Sequence, residues 1–225
     1  MARAFRLSSI VALGVCVGVL ALGLEAHAKP KARSAPRRAT GAAYQAHVKK
    51  WHTAPADAHA PTDLAGRPRL VLENVNTGAR VELDASSDQG GFGPTQLAQA
   101  SSVLGDSRKS LAREMDAALL DLLYRLQRHF DAPCVRIVSA YRAGGASQHA
   151  KGRAADIVLP GVSDEKLASV ARSLGTTGVG LYPKSGFVHV DVREQPHHWV
   201  DASGPGATER PKSRARRKSK KPGKG

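Results

Sequence analysis

From residue 110 onward, Met115, Leu119, Leu122, Leu123, Leu126 and Phe130 recur at three- and four-residue steps and form one apolar stripe. That spacing predicts a helix lying against a sheet. Upstream, two β-prone runs, 69–75 and 79–83, flank Asn76-Thr77-Gly78, which predicts a hairpin with a turn between them. A glycine-rich loop follows over 86–94, and 95–104 reads as a shorter helix. Beyond the stripe, 135–139 and 154–159 predict strands. Ser163 is a good N-cap for a helix through 174, which Gly175 can end. Residues 179–182 and 187–192 close the pattern as a strand pair. The expected class is α+β: a small, mostly antiparallel sheet with flanking helices, in a single domain spanning 68–200.

The flanks read differently. Residues 29–67 are rich in Ala, Pro, Lys and Arg without a sustained apolar period, so they read as a linker. Within it Tyr44, Val48 and Trp51 share one short helical face that buries too little to be a domain. At the start, Arg3 and Arg6, an apolar run over 10–24 and Ala26-His27-Ala28 follow the export pattern, so 1–28 is expected to be a signal peptide cleaved after Ala28. An apolar run of about 15 residues is short for a span that needs about 20, which predicts no stable membrane span after cleavage and a periplasmic or secreted protein. Cys16 follows Leu13-Gly14-Val15 and lacks the small preceding residue of a lipoprotein signal. Cleavage leaves Cys134 alone, which excludes an intramolecular disulfide, counts against thiolate metal ligation and predicts a buried small hydrophobe.

Charge changes the picture less than its total suggests. The net charge is +15, yet between Trp51 and Val200 there are 16 Lys and Arg against 16 Asp and Glu. The excess sits at the ends, with nine basic residues between Arg210 and Lys224. A solvated basic tail over 201–225 is expected either to keep the chain soluble with no specific partner or to meet anionic envelope polymers, phospholipid head groups or nucleic acid loosely, without specific nucleic-acid recognition. A composition of 41% hydrophobic residues suits a globular enzyme rather than a disordered polymer.

The candidate chemistry lies in three short segments: Tyr141-Arg142 after a strand, Ser147 to Asp156 with His149 and Gly152 between them, and Phe187-Val188-His189-Val190-Asp191. A catalytic zinc takes three protein ligands and keeps one open position, because the ion must both lower the pKa of water and polarise a carbonyl. His149, Asp156 and His189 suit that need. Gly152 lets the chain turn so that Asp156 can point back toward His149. Strand alternation puts Asp191 on His189's face. A single histidine or aspartate of this kind is more often a satisfied surface or core residue, so the weight rests on the combination.

These motifs resemble the lysostaphin, D-alanyl-D-alanine peptidase and hedgehog group of zinc proteins, with their His-x6-Asp element and a distant ligand His. The closer resemblance, over about 68–200, is to murein endopeptidase K type peptidases: Asn74 to Gly78 in a hairpin, the Leu-rich helix, Ser139 to Arg142, Ser147 to Asp156, and Phe187 to Asp191 with Trp199 beyond. The resemblance implies a zinc-dependent peptidase acting on peptidoglycan stem peptides or cross-links, with His149, Asp156 and His189 as metal ligands. It implies that Arg142 stabilises an oxyanion or clamps a substrate carboxylate, unless it is a loop-steadying ion-pair partner. Tyr141 and Ser147 are expected near substrate, although Ser147 could equally shape its turn. Some D-alanyl-D-alanine peptidases carry an acid three residues before the last ligand His, where this chain has Gly186. That departure leaves Asp191 as candidate base or as the group that orients a ligand imidazole; His197 and His198 read as plain surface. The four residues between Arg142 and Ser147 are few enough to leave the cleft open on that side. Two rival readings remain: a non-catalytic module that holds peptidoglycan and keeps metal as a structural clip, and a polyanion-binding envelope protein driven by its basic ends.

Overall fold

The structure is a computed structural model that describes residues 41–56, 58–106, 109, 111–175 and 177–205. The expected signal peptide, the first part of the linker and most of the basic tail lie outside the described residues. Among the described residues, no helix is long and apolar enough to cross a membrane.

Among the described residues, eleven elements follow one another: α1 (Gly41–His52), β1 (Leu70–Asn74), β2 (Arg80–Leu83), α2 (Pro94–Leu104), α3 (Ala117–His129), β3 (Val135–Ser139), β4 (Ala154–Val158), α4 (Asp164–Ser173), β5 (Thr177–Tyr182), β6 (Phe187–Val192) and β7 (His197–Val200). The strands make one sheet in the order β2-β1-β3-β4-β6-β5-β7. Only β1/β3 and β5/β7 are parallel; the other neighbours are antiparallel. The fold is therefore α+β with a mostly antiparallel sheet, as the pattern predicts.

Local chemistry explains the boundaries. The β1–β2 turn closes because the Asn74 side chain accepts the Asn76 and Thr77 N–H groups while Gly78 takes a φ of 73°. The apolar stripe is buried: Leu119, Leu122, Leu123 and Leu126 are fully covered, each worth roughly 1.5–3 kcal/mol of transfer free energy. The helix carrying it starts later than its period suggests. Asp116 caps it by accepting the Ala118 N–H at 3.0 Å, and the Asp116 N–H donates to Gly152 O at 2.9 Å. The chain before Asp116 is thus tied to the turn that carries His149, and Met115 enters the core from a non-helical segment. The Ser163 hydroxyl accepts the Lys166 N–H, as expected of an N-cap.

Two elements differ from the sequence reading. His197–Val200, given no element by the sequence pattern, forms edge strand β7 beside β5, with His197 and His198 exposed as expected. Residues 41–52, read as linker apart from the short helical face of Tyr44, Val48 and Trp51, form helix α1 docked on the sheet domain. Arg136 of β3 holds its C-terminal end by donating to the carbonyls of Lys50, Trp51 and Thr53 at 2.7–2.9 Å, where the helix has carbonyls without intrahelical donors. Tyr44 Oη donates to Ser185 O at 2.7 Å and His52 Nε2 to Gly186 O at 3.2 Å. The face of Tyr44, Val48 and Trp51 marks the helix in the local sequence, whereas its partners lie too far along the chain to be read there.

Candidate metal centre

Register across the sheet builds the site. Ser139 pairs with Asp156, Asp156 with His189, His189 with Gly180, and Gly180 with Trp199, so one row crosses five strands. Side chains in one row share a face. Val188, Val190, Ala155 and Ile157 alternate with this row and are buried in the core. His149 arrives from outside the sheet on the turn after β3. The Ser147 hydroxyl accepts the Ala150 N–H at 3.2 Å there, and Gly152 takes a φ of 74° beneath the Glu114 carbonyl.

His149, Asp156 and His189 offer one ligand atom each, all within 4.8 Å of one another, and all three residues are buried. His189 Nδ1 lies 2.9 Å from Asp156 Oδ1 and 3.1 Å from His149 Nε2, and His149 Nε2 lies 3.4 Å from Asp156 Oδ1. The outer ring nitrogens are already committed. His149 Nδ1 donates to Ala140 O at 2.6 Å, and His189 Nε2 donates to Asp191 Oδ2 at 2.9 Å, since neither oxygen carries a proton to give. His149 Nε2, His189 Nδ1 and a carboxylate oxygen therefore face one another as lone-pair donors. Such a buried cluster requires a positive charge at its centre. A divalent cation suits it, with two imidazoles and one carboxylate as ligands and backbone or carboxylate partners behind each imidazole.

The electrostatics agree. Burial opposes ionisation of Asp156, but where protons supply the positive charge at the centre, hydrogen bonds from His149 and His189 outweigh it and hold the carboxyl well below the usual range. Burial also works against a charged His189, yet the Asp156 and Asp191 carboxylates draw its pKa upward. Asp191 is fully buried. Desolvation would raise it, whereas His189 and Arg193 hold it down to about 2.

The other expected site residues fall in distinct places. A cleft of about 780 Å³ opens beside the triad and is lined by Tyr141, Arg142 and Asp156, among others. The half-exposed Arg142 guanidinium reaches Asp156 Oδ2 at 3.5 Å, which supplies the ion-pair partner that sequence alone leaves unnamed. Ser147 is exposed and is not among the residues lining this cleft, and its hydroxyl accepts the Ala150 N–H that shapes the turn. Asp191 sits across the His189 ring from the cluster, the position of a group that orients an imidazole rather than one that reaches the cleft. Cys134 is buried and free, and burial together with Glu73 pushes its thiol up to about 11, far from thiolate chemistry.

Further residues build the surroundings of the cluster. Trp199 tilts over His189 with ring centroids 5.1 Å apart and donates from Nε1 to Tyr182 Oη. It has room because Gly180 lacks a side chain; a Cβ there would overlap the indole. Gly178 clears the same kind of space for the Asp191 carboxylate, to which Arg193 is tightly paired. The Gly-x-Gly alternation on β5 was the available signal. Tyr44 and Trp51 of α1 complete the list by lining the cleft.

The sequence is similar to a known family. The family described as Peptidoglycan L,D-endopeptidase MepK matches residues 63–199. The peptidoglycan L,D-endopeptidase MepK of Escherichia coli strain K12 is 32% identical over 149 residues, covering 59% of this chain and 81% of that protein. The "Probable peptidoglycan L,D-endopeptidase MepK" of Haemophilus influenzae is 32% identical over 143 residues, covering 56% and 76%. No solved structure matches the chain significantly. With more than half its length matched by the family and the His-Asp-His cluster intact, this chain belongs to the peptidoglycan L,D-endopeptidase MepK family of metallopeptidases.

Proposed function

We propose that this protein is an exported, zinc-dependent endopeptidase that hydrolyses L,D peptide bonds in peptidoglycan cross-links, with His149, Asp156 and His189 as the metal ligands. The single observation carrying this reading is the buried convergence of three lone-pair donors beside an open cleft. Zinc matches the donor set of two nitrogens and one oxygen, and when bound it supplies Lewis acidity that activates water and polarises a carbonyl.

The chain's own residues do the rest. Asp191 accepts the His189 Nε2–H, fixing the tautomer that presents Nδ1 to the ion, and Arg193 keeps that carboxylate ionised. Ala140 O does the same for His149. Arg142, at the cleft wall, donates to the substrate carbonyl oxygen as negative charge gathers on it, while its contact with Asp156 sets its reach. Tyr141 forms part of the wall that positions the stem peptide. Peptidoglycan lies outside the cytoplasmic membrane, so the reading requires export, which the sequence pattern over 1–28 supplies. The basic ends would hold the enzyme near anionic envelope polymers.

The test is digestion of purified sacculi. Wild-type protein with zinc releases soluble muropeptides whose masses place the cut at an L,D bond, chelator stops the release and zinc restores it. A metal-loaded protein that binds sacculi but releases nothing would replace this reading with the non-catalytic module.

A further inference from the structure

Helix α1 lies before the family-matched span and beside the cleft. Tyr44 and Trp51 line the same 780 Å³ cleft as Tyr141, Arg142 and Asp156. The two rings meet edge to face with centroids 5.9 Å apart, and both are half-buried, so each keeps surface toward solvent. Tyr182 and Phe187, stacked at 4.7 Å, line the cleft as well. The helix is held by Arg136 at its C-terminal end, by the Gly161 N–H on His52 O, and by Tyr44 Oη on Ser185 O. Val48 packs so closely on Gly186, at a φ of 66°, that any side chain there would overlap it. The position where some related peptidases carry an acid is thus given over to docking this helix.

We infer that α1 is a substrate-binding wall, and that Tyr44 and Trp51 pack against the part of a cross-linked peptidoglycan strand that extends away from the bond being cut. This rests on the proposed peptidoglycan substrate. A cross-link carries chain on both sides of the scissile bond, so its enzyme needs surface beyond the metal. Stem peptides and sugars offer aliphatic side chains and C–H faces, and these pack well on aromatic rings that need no charge to bind them. Tyr44 and Trp51 add such a surface on the α1 side of the cleft.

The experiment compares wild type, Trp51→Phe, Tyr44→Phe and the double variant Tyr44→Ala/Trp51→Ala. Three quantities are measured: KM and kcat on purified cross-linked muropeptide dimers, sedimentation of metal-free protein with sacculi, and melting temperature. In the double variant KM for dimers rises about 10-fold, the size of about 1.4 kcal/mol of lost contact, while kcat changes less than about twofold. Sacculus binding weakens in parallel, and Trp51→Phe recovers most of both. Tyr44→Phe, which keeps the ring and loses the hydrogen bond to Ser185, stays close to wild type in KM. An unchanged KM and unchanged sacculus binding in the double variant overturns the inference, as does a loss confined to kcat and melting temperature. Should wild type fail to cleave dimers, the catalytic reading fails by itself, and the sedimentation arm still decides whether α1 binds peptidoglycan.

Discussion

Asp191 accepts the His189 Nε2–H at 2.9 Å on the side of the imidazole opposite Asp156 and His149. The ring stands between this carboxylate and the cluster, so its influence on the site passes through His189. Asp191→Asn keeps the shape but offers an amide that can face His189 with the wrong end. Zinc affinity and turnover should fall together by about 10–100-fold, the range found when a partner behind a metal-bound histidine is lost. Titration against a chelating indicator, alongside sacculus digestion, checks it; full zinc binding with abolished turnover would restore Asp191 as a base.

His149 is the ligand contributed by a turn rather than by the sheet, so its removal should leave the fold standing. His149→Ala is expected to bind zinc weakly and to release no muropeptide above background, with a melting temperature near that of the wild-type protein stripped of metal. Metal analysis by mass spectrometry and calorimetry test this together. Cleavage at the wild-type rate would remove the proposed centre.

Arg142 is half-exposed yet touches the buried Asp156. If it stabilises charge on the substrate, Arg142→Ala retains zinc and loses about 10²–10³-fold in kcat, and Arg142→Lys recovers part of the loss without the planar fork. A variant that loses zinc instead would assign the arginine to steadying Asp156.

Gly180→Ala tests the packing of Trp199 over His189. The added methyl must push the indole aside, an overpacking cost of about 1–3 kcal/mol, so the melting temperature should drop and Trp199 fluorescence should change. An unaltered spectrum and melting temperature would show that the indole is free to move.

Asp164 provides a pH prediction remote from the metal. Burial raises its carboxyl to about 6, with one oxygen lacking a hydrogen-bond partner and His52 only 3.7 Å away. Because the folded state holds this proton more tightly than the unfolded chain, whose value is near 3.8, the penalty is fully present above about pH 6. It is relieved as pH falls through 6 toward 4. Asp164→Asn should therefore melt higher than wild type at pH 7.5, and the gap should close by pH 4. A gap that is constant with pH would mean the carboxylate is not penalised in the fold.

The apolar stripe from Met115 to Phe130 and the alternation over 187–192 made the helix and the closing strand legible, because burial of one face imposes a period on the local sequence. The ligand set was legible for another reason. His149 and Asp156 lie seven residues apart, close enough for one turn through Gly152 to bring them together. The start of α3 was misplaced, since the Asp116 cap is completed by a backbone bond to Gly152 that no local pattern announces.

What the sequence by itself determined was therefore the class of fold, the identity of three metal-binding side chains and the family to which they point. The tertiary structure decided the roles around them. It set Asp191 behind an imidazole, put the Ser147 hydroxyl on its own turn, gave Arg142 its partner and docked residues 41–52 on the sheet domain as a helix. The physical reason is range. Periodicity and short spacing record how a segment meets water or turns on itself, whereas the row Ser139–Asp156–His189–Gly180–Trp199 and the docking of α1 exist only after distant strands have paired.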